Sequence, residues 1–181
     1  MQTRNVLFRC HCERPKGARQ SHVKMTCMAT VLLAFLVFEA AAVDGVKGFV
    51  KPAEKDKCPV CGMFVAKYPD WIAEVRFRDG GYAVFDGPKD LFKYLADLKR
   101  YAPGRRQEDI KALSVMDYYA VRPIDGSTAF YVTGSDVYGP MGAEFIPFEK
   151  ERDAREFLKD HGGKHILRFK DITPAVLKGL E

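Results

Sequence analysis

The chain has 181 residues, 47% hydrophobic and 29% charged, a balance that supports a folded core and excludes a disordered polyelectrolyte. Lys and Arg number 29 against 24 Asp and Glu, but six bases and two acids fall in residues 1–42, leaving 23 bases and 22 acids beyond. A near-neutral body lacks the positive footprint that a phosphate backbone demands, which excludes nucleic acid as a partner.

In chain order, a basic stretch precedes the uncharged apolar run Met25 to Phe38, 14 residues long, followed by Ala40-Ala41-Ala42. That order is the order of a secretory signal, with small residues at Ala40 and Ala42 before a cut at Ala42/Val43. The run is shorter than the roughly 18 to 20 residues that cross a bilayer as a helix. Residues 1–42 are therefore expected to be a signal peptide or, if uncleaved, an N-terminal membrane anchor, and the protein to be periplasmic or otherwise extracytoplasmic. Cleavage removes Cys10, Cys12 and Cys27 and leaves Cys58 and Cys61. Two cysteines three positions apart close no long loop, so they point to metal or redox chemistry rather than to a scaffold.

Residues 43–57, ending in polar Lys51-Pro52-Ala53-Glu54-Lys55-Asp56-Lys57, read as a linker. Residues 58–113 form a first half. Phe64 to Pro69 reads as strand; Trp71 to Arg78 alternates Trp71, Ala73, Val75 and Phe77 against Ile72, Glu74, Arg76 and Arg78, a half-buried strand. Asp79-Gly80-Gly81 turns it into Tyr82 to Phe85, a hairpin. Asp86-Gly87-Pro88 then opens a helix carrying Leu91, Phe92, Leu95 and Leu98 up to Pro103-Gly104.

Residues 114–181 form the second half. Val115 to Arg122, with Tyr118-Tyr119 half-buried in sheet, then Ala129 to Thr133 and Glu144 to Phe148 read as strands. Lys150 to Asp160 reads as a helix ended by Gly162-Gly163, and Ile166 to Phe169 as a last strand. At an offset of 63 residues, Phe85 matches Phe148, Asp86 matches Glu149, Asp90 matches Asp153, Tyr94 matches Phe157 and Leu95 matches Leu158. The expected class is α+β: two small strand-strand-helix-strand repeats with antiparallel sheets and helices on one face.

Cys58-Pro59-Val60-Cys61-Gly62-Met63 is the sharpest chemical feature. Two soft thiolates at this spacing can hold one metal ion while Gly62 lets the backbone fold around it. Met63 adds a thioether, and thiolate with thioether selects Cu(I) over hard cations and over zinc; a methionine there is equally a core gap filler. Met141 lies in Tyr138-Gly139-Pro140-Met141-Gly142-Ala143-Glu144, a segment without hydrophobic periodicity. It is either a surface plug in a glycine-rich turn or a sulfur that approaches a metal held by the first motif.

Cys-Pro-Val-Cys-Gly-Met (58–63), Tyr-Val-Thr-Gly-Ser-Asp-Val (131–137), Gly-Pro-Met-Gly-Ala-Glu-Phe-Ile-Pro-Phe (139–148) and Phe-Leu-Lys-Asp-His-Gly-Gly (157–163) together resemble the succession of motifs in the NosL family, exported copper-binding accessory proteins of nitrous oxide reductase. The resemblance spans most of residues 55–172. It implies a non-enzymatic, monomeric Cu(I) metallochaperone that hands copper to a client, nitrous oxide reductase being the one implied. Carried over, the metal ligands are Cys61 and Met63, then Cys58, with Met141 from the second half. Family members are usually lipoproteins, whereas here no cysteine directly follows the apolar run.

Two other classes compete. A periplasmic thiol-disulfide oxidoreductase using Cys58 and Cys61 would need a helix opening at the motif to depress the first thiol's pKa, and Gly62 followed by a strand-like segment denies it one. A zinc or other metal-binding interaction module would recruit the H-x3-H pair His161 and His165, but about a hundred residues separate that pair from the cysteines. His161 reads more simply as a helix C-terminal residue, His165 as the start of a strand, and the clusters at Lys99-Arg100 and Arg105-Arg106 as solvated helix faces.

Overall fold

The computed structural model describes residues 48–180. The expected leader and its cleavage point lie outside the described residues. Among those residues no helix is long and apolar enough to cross a membrane.

Strands β1 (Ala73–Phe77) and β2 (Tyr82–Phe85) form the expected hairpin, in register from Ala73 opposite Phe85 to Arg76 opposite Tyr82. Its turn is built by Gly80 at φ +89° and by the Gly81 N–H donating to Asp79 Oδ1 at 3.0 Å. Helix α1 (Pro88–Ala96) starts on Pro88, whose fixed φ suits a first helical position. Asp97 breaks the helix and caps the short α2 (Leu98–Tyr101), its Oδ1 accepting from Arg100 N at 3.2 Å. Strands β3 (Ile110–Met116) and β4 (Pro123–Asp125) complete a four-stranded antiparallel sheet in the order β2-β1-β3-β4.

The second sheet is three-stranded, β8-β5-β9, from β5 (Phe130–Thr133), β8 (Ile146–Phe148) and β9 (His165–Arg168). Between β5 and β8 lies a small hairpin, β6 (Tyr138–Gly139) and β7 (Gly142–Ala143). Helix α3 (Glu151–Asp160) packs on this sheet, and α4 (Pro174–Lys178), which the sequence pattern did not reveal, packs against α1. The class is α+β with antiparallel sheets, as expected. Helices α1 and α3 begin at Pro88 and Glu151, the same 63-residue step that aligns the two halves.

Of the residues that helical spacing puts on the apolar face, Leu91, Phe92 and Leu98 are buried and Leu95 is partly so, while Phe85 and Tyr94 are buried beside them. In the second half Phe148, Ala154 and Phe157 are fully buried and cluster with Val132 and Ile146. The first cluster reaches across the halves: Phe92 meets Tyr131 and Phe145 edge-on at 5.1 and 5.2 Å between ring centroids, contacts worth about 0.5–1.5 kcal/mol each beyond area burial.

Several local expectations are corrected. Phe64 to Pro69 is no strand: Phe64 makes an isolated antiparallel bridge to Lys57, and Val65–Lys67 and Pro69–Trp71 are 3-10 turns. Strand β3 runs Ile110–Met116 rather than Val115 to Arg122. The chain turns at Asp117 because its Oδ1 accepts the Tyr119 and Ala120 N–H groups at 3.0 and 2.8 Å, which takes both tyrosines out of the sheet. Glu74, expected on a solvent face, is fully buried: its Oε2 accepts from Val50 N at 3.2 Å and its Oε1 lies 3.3 Å from Arg76 Nε. Within the segment read as a linker, Pro52 is buried and Lys57 carries the bridge to Phe64.

Candidate metal centre

The segment Cys58 to Met63 folds back on itself. The Cys58 N–H donates to the Met63 carbonyl and the Gly62 N–H to the Cys58 carbonyl, each at 2.9 Å, and Gly62 sits at φ +81°. That left-handed position suits glycine, so its place after the second cysteine is a backbone requirement of the turn. Both thiols are free. Cys58 is buried at 2% exposure, whereas Cys61 is only partly covered, so Cys61 is the thiol that a partner or ion meets first.

The turn rests against the strand-to-helix corner after β2. The Cys61 thiol donates to Asp86 Oδ1 at 3.1 Å and the Cys58 thiol to Asp90 Oδ2 at 3.2 Å. One potential ligand atom from each of Cys58, Cys61, Asp86 and Asp90 lies within 4.8 Å of all the others. Both aspartates are buried, and Asp86 Oδ2 has no hydrogen-bond partner among the described residues. The sequence reading puts Asp86 at the opening of a helix and Asp90 opposite Asp153 in the repeat, and assigns neither to the site. Two acids four positions apart, the first directly after a strand that ends on buried Val84 and Phe85, were the available signal.

Burial pushes both thiols upward. Cys58 is raised far above the ordinary thiol range, first by desolvation and then by the charges of Asp90 and Asp86. Cys61 is pushed up to about 12, again by desolvation first, with hydrogen bonds to Asp90 and Asp86 adding to it. A reactive redox cysteine needs the opposite environment, one that favours thiolate at neutral pH. No helix begins at the motif either, since the segment continues into 3-10 turns. A thiol held neutral until a cation displaces its proton suits metal capture better than disulfide exchange.

Met63 belongs to the same turn through its carbonyl, and its side chain is half-buried. Met141 sits at the tip of the β6-β7 hairpin, 45% exposed; Pro140 fits the first corner of that tip and Gly142, at φ +86°, its exit. This hairpin is tied to α1 rather than to the thiol turn. The Lys89 ammonium donates to the Met141 and Ala143 carbonyls at 2.8 and 2.7 Å. Glu144, 3% exposed, accepts at Oε1 from Lys89 N at 2.5 Å and Phe145 N at 2.9 Å, supplying the N-terminal cap that Gly87 lacks. Burial raises the Glu144 carboxyl to about 8, outweighing those two donors and the Lys89 charge. Asp90 acts electrostatically on both the Cys58 thiol and the Glu144 carboxyl. The thiol turn and the methionine hairpin thus both dock on the first turn of α1.

His161 lies elsewhere. It follows α3, stacks on Phe157 at 4.3 Å between centroids, and its Nδ1 lies 2.9 Å from Asp136 Oδ1. His165 opens β9 and is exposed. Among the described residues, neither histidine joins the cysteines and aspartates.

The family model NosL matches residues 49–177. A copper-binding lipoprotein NosL from Stutzerimonas stutzeri is 28% identical over 159 residues, covering 83% of this chain and 81% of the relative. A protein of the same name from Achromobacter cycloclastes is 33% identical over 129 residues, covering 65% of this chain and 63% of the relative. Among solved structures, the crystal structure of the copper chaperone NosL from Shewanella denitrificans is similar with a TM-score of 0.56 and 28% identity, over 70% of this chain and 99% of that one.

Proposed function

This chain belongs to the NosL family, and from that premise we propose that it is an extracytoplasmic, non-enzymatic Cu(I) carrier that passes the ion to a copper-receiving client. The client implied by the family is nitrous oxide reductase. The proposed ligands are Cys58, Cys61, Met63 and Met141, with the leader serving as export signal or anchor and the protein acting as a monomer. Relatives named copper-binding lipoprotein and copper chaperone support the metal and the placement outside the cytoplasm.

The observation that carries the reading is the convergence of two free thiols on one point, one buried and one reachable. Soft thiolate and thioether donors select Cu(I). A partly exposed Cys61 leaves a side on which a client's ligand can bind before the donor's leaves. Asp86 and Asp90 would hold the thiols in place before loading by accepting their hydrogen bonds.

Competition against a chromophoric Cu(I) chelator under reducing conditions tests this. Cys61→Ser is expected to abolish Cu(I) binding, and Met63→Leu to weaken it while leaving the melting temperature unchanged. Unaltered affinity in Cys61→Ser would reject the site. The reduced protein is also expected not to turn over insulin disulfides; measurable turnover would favour the oxidoreductase instead.

A further inference from the structure

Lys89 is 5% exposed, and a lysine this deep is rarely found without dedicated partners. Its partners are specific. The ammonium grips two carbonyls of the methionine hairpin, those of Met141 and Ala143, while its own backbone N–H is held by Glu144, the residue that follows β7. Glu144 in turn fills the space beside Gly87 at the start of α1, where a Cβ would run into its side chain, and packs closely beside Gly139, next to the hairpin tip. Lys89 immediately precedes Asp90, the acceptor of the Cys58 thiol. A single helical turn therefore carries the contacts to the thiol turn and the contacts to the methionine tip.

We propose that Lys89 and Glu144 are positioning residues for metal binding: a buried clamp that fixes the Met141 hairpin on α1 so that its thioether stands at a set distance from the thiols. This rests on the reading of Met141 as a ligand. The tip itself is exposed and contributes only two residues to each strand of its hairpin, too little pairing to hold a fixed position alone. The two carbonyl contacts from the helix supply the missing restraint. Residues that orient a metal ligand typically change affinity by about ten- to a hundredfold when removed, and the clamp's effect must pass through the sulfur it positions.

A double-mutant cycle reads that route. Cu(I) affinity is measured by chelator competition for the full chain, Lys89→Leu, Met141→Leu and the double variant, with melting temperatures alongside. Lys89→Leu is expected to weaken binding about tenfold, and to add nothing once Met141→Leu is present, even though it lowers the melting temperature in both backgrounds. An equal loss of affinity in the two backgrounds, or none in either, overturns the clamp. Should Met141→Leu alone leave affinity unchanged, the ligand reading fails and the clamp with it, an outcome distinct from the former. Where Lys89→Leu does not fold, Lys89→Gln keeps a donor in the buried site but reaches less far. Methyl relaxation of Met141 in that metal-free variant is expected to show a newly mobile tip; unchanged order overturns the proposal.

Discussion

The two strand-to-helix corners, Phe85 to Asp90 and Phe148 to Asp153, are copies in backbone and opposites in chemistry. Each starts on a fully buried phenylalanine and leads into a helix whose apolar face is buried at Tyr94 or Phe157. At the first corner every residue from Asp86 to Asp90 is buried, and its two carboxylates accept thiol hydrogen bonds. At the second, Glu149, Lys150 and Glu151 are exposed, and the acids pair with arginines: Glu149 with Arg122, Glu151 with Arg155 and Asp153 with Arg152. The Glu149 backbone N–H donates to the buried Asp117 Oδ2 at 2.7 Å. The same scaffold makes a solvated corner by default and a chemical one where another segment, here the thiol turn, is laid over it.

The comparison can be broken from several sides. The largest expected effect is symmetric: Phe85→Ala and Phe148→Ala should each lower stability by about 3–5 kcal/mol in denaturant unfolding, because both rings are fully buried. Markedly unequal losses would show that the two corners do not anchor their clusters equivalently.

The next effect belongs to the first corner alone. Folding favours the neutral Cys61 thiol, raised to about 12, so its contribution to metal-free stability is full below the unfolded value near 9 and is lost as pH rises through about 12. Metal loading runs the other way, since the ion must displace the protons. If both thiols are deprotonated on binding, Cu(I) affinity should rise about a hundredfold per pH unit between pH 6 and 8, or about tenfold if one is. Affinity independent of pH would contradict thiolate ligation.

A smaller effect separates the acids. Asp86→Asn and Asp90→Asn remove the carboxylate charges beside the thiols, so alkylation of Cys61 by iodoacetamide at pH 8 should quicken by about three- to tenfold. Glu149→Gln should leave that rate untouched and change stability by about 0–1 kcal/mol, the range for exposed ion pairs. A matching rate change in Glu149→Gln would erase the distinction between the corners.

The sequence made the copies visible and hid their difference. Asp79-Gly80-Gly81, Pro88 and Gly162-Gly163 act through local backbone preferences, so the hairpin, the start of α1 and the end of α3 could be read directly. The strand expected at Val115 to Arg122 failed because a side chain, Asp117, captured the N–H groups of Tyr119 and Ala120, a competition that hydrophobic alternation does not register. Glu74 failed because the segment at Val50 covers its face of β1. Cys58 and Cys61 were legible from spacing and softness. Asp86 and Asp90 were not, since their partners lie 25 and 32 residues away, and Lys89 and Glu144 were not, since a lysine or glutamate is buried only by what the rest of the chain brings to it.

The central claim is that sulfur alone holds the metal while the neighbouring carboxylates orient the thiols. X-ray absorption at the copper edge of the Cu(I)-loaded chain tests it most directly. The account predicts a first shell of sulfur scatterers that diminishes in Cys61→Ser and again in Met141→Leu, with no oxygen from Asp86 or Asp90. A shell containing oxygen or nitrogen donors, or a sulfur shell indifferent to both substitutions, would contradict it.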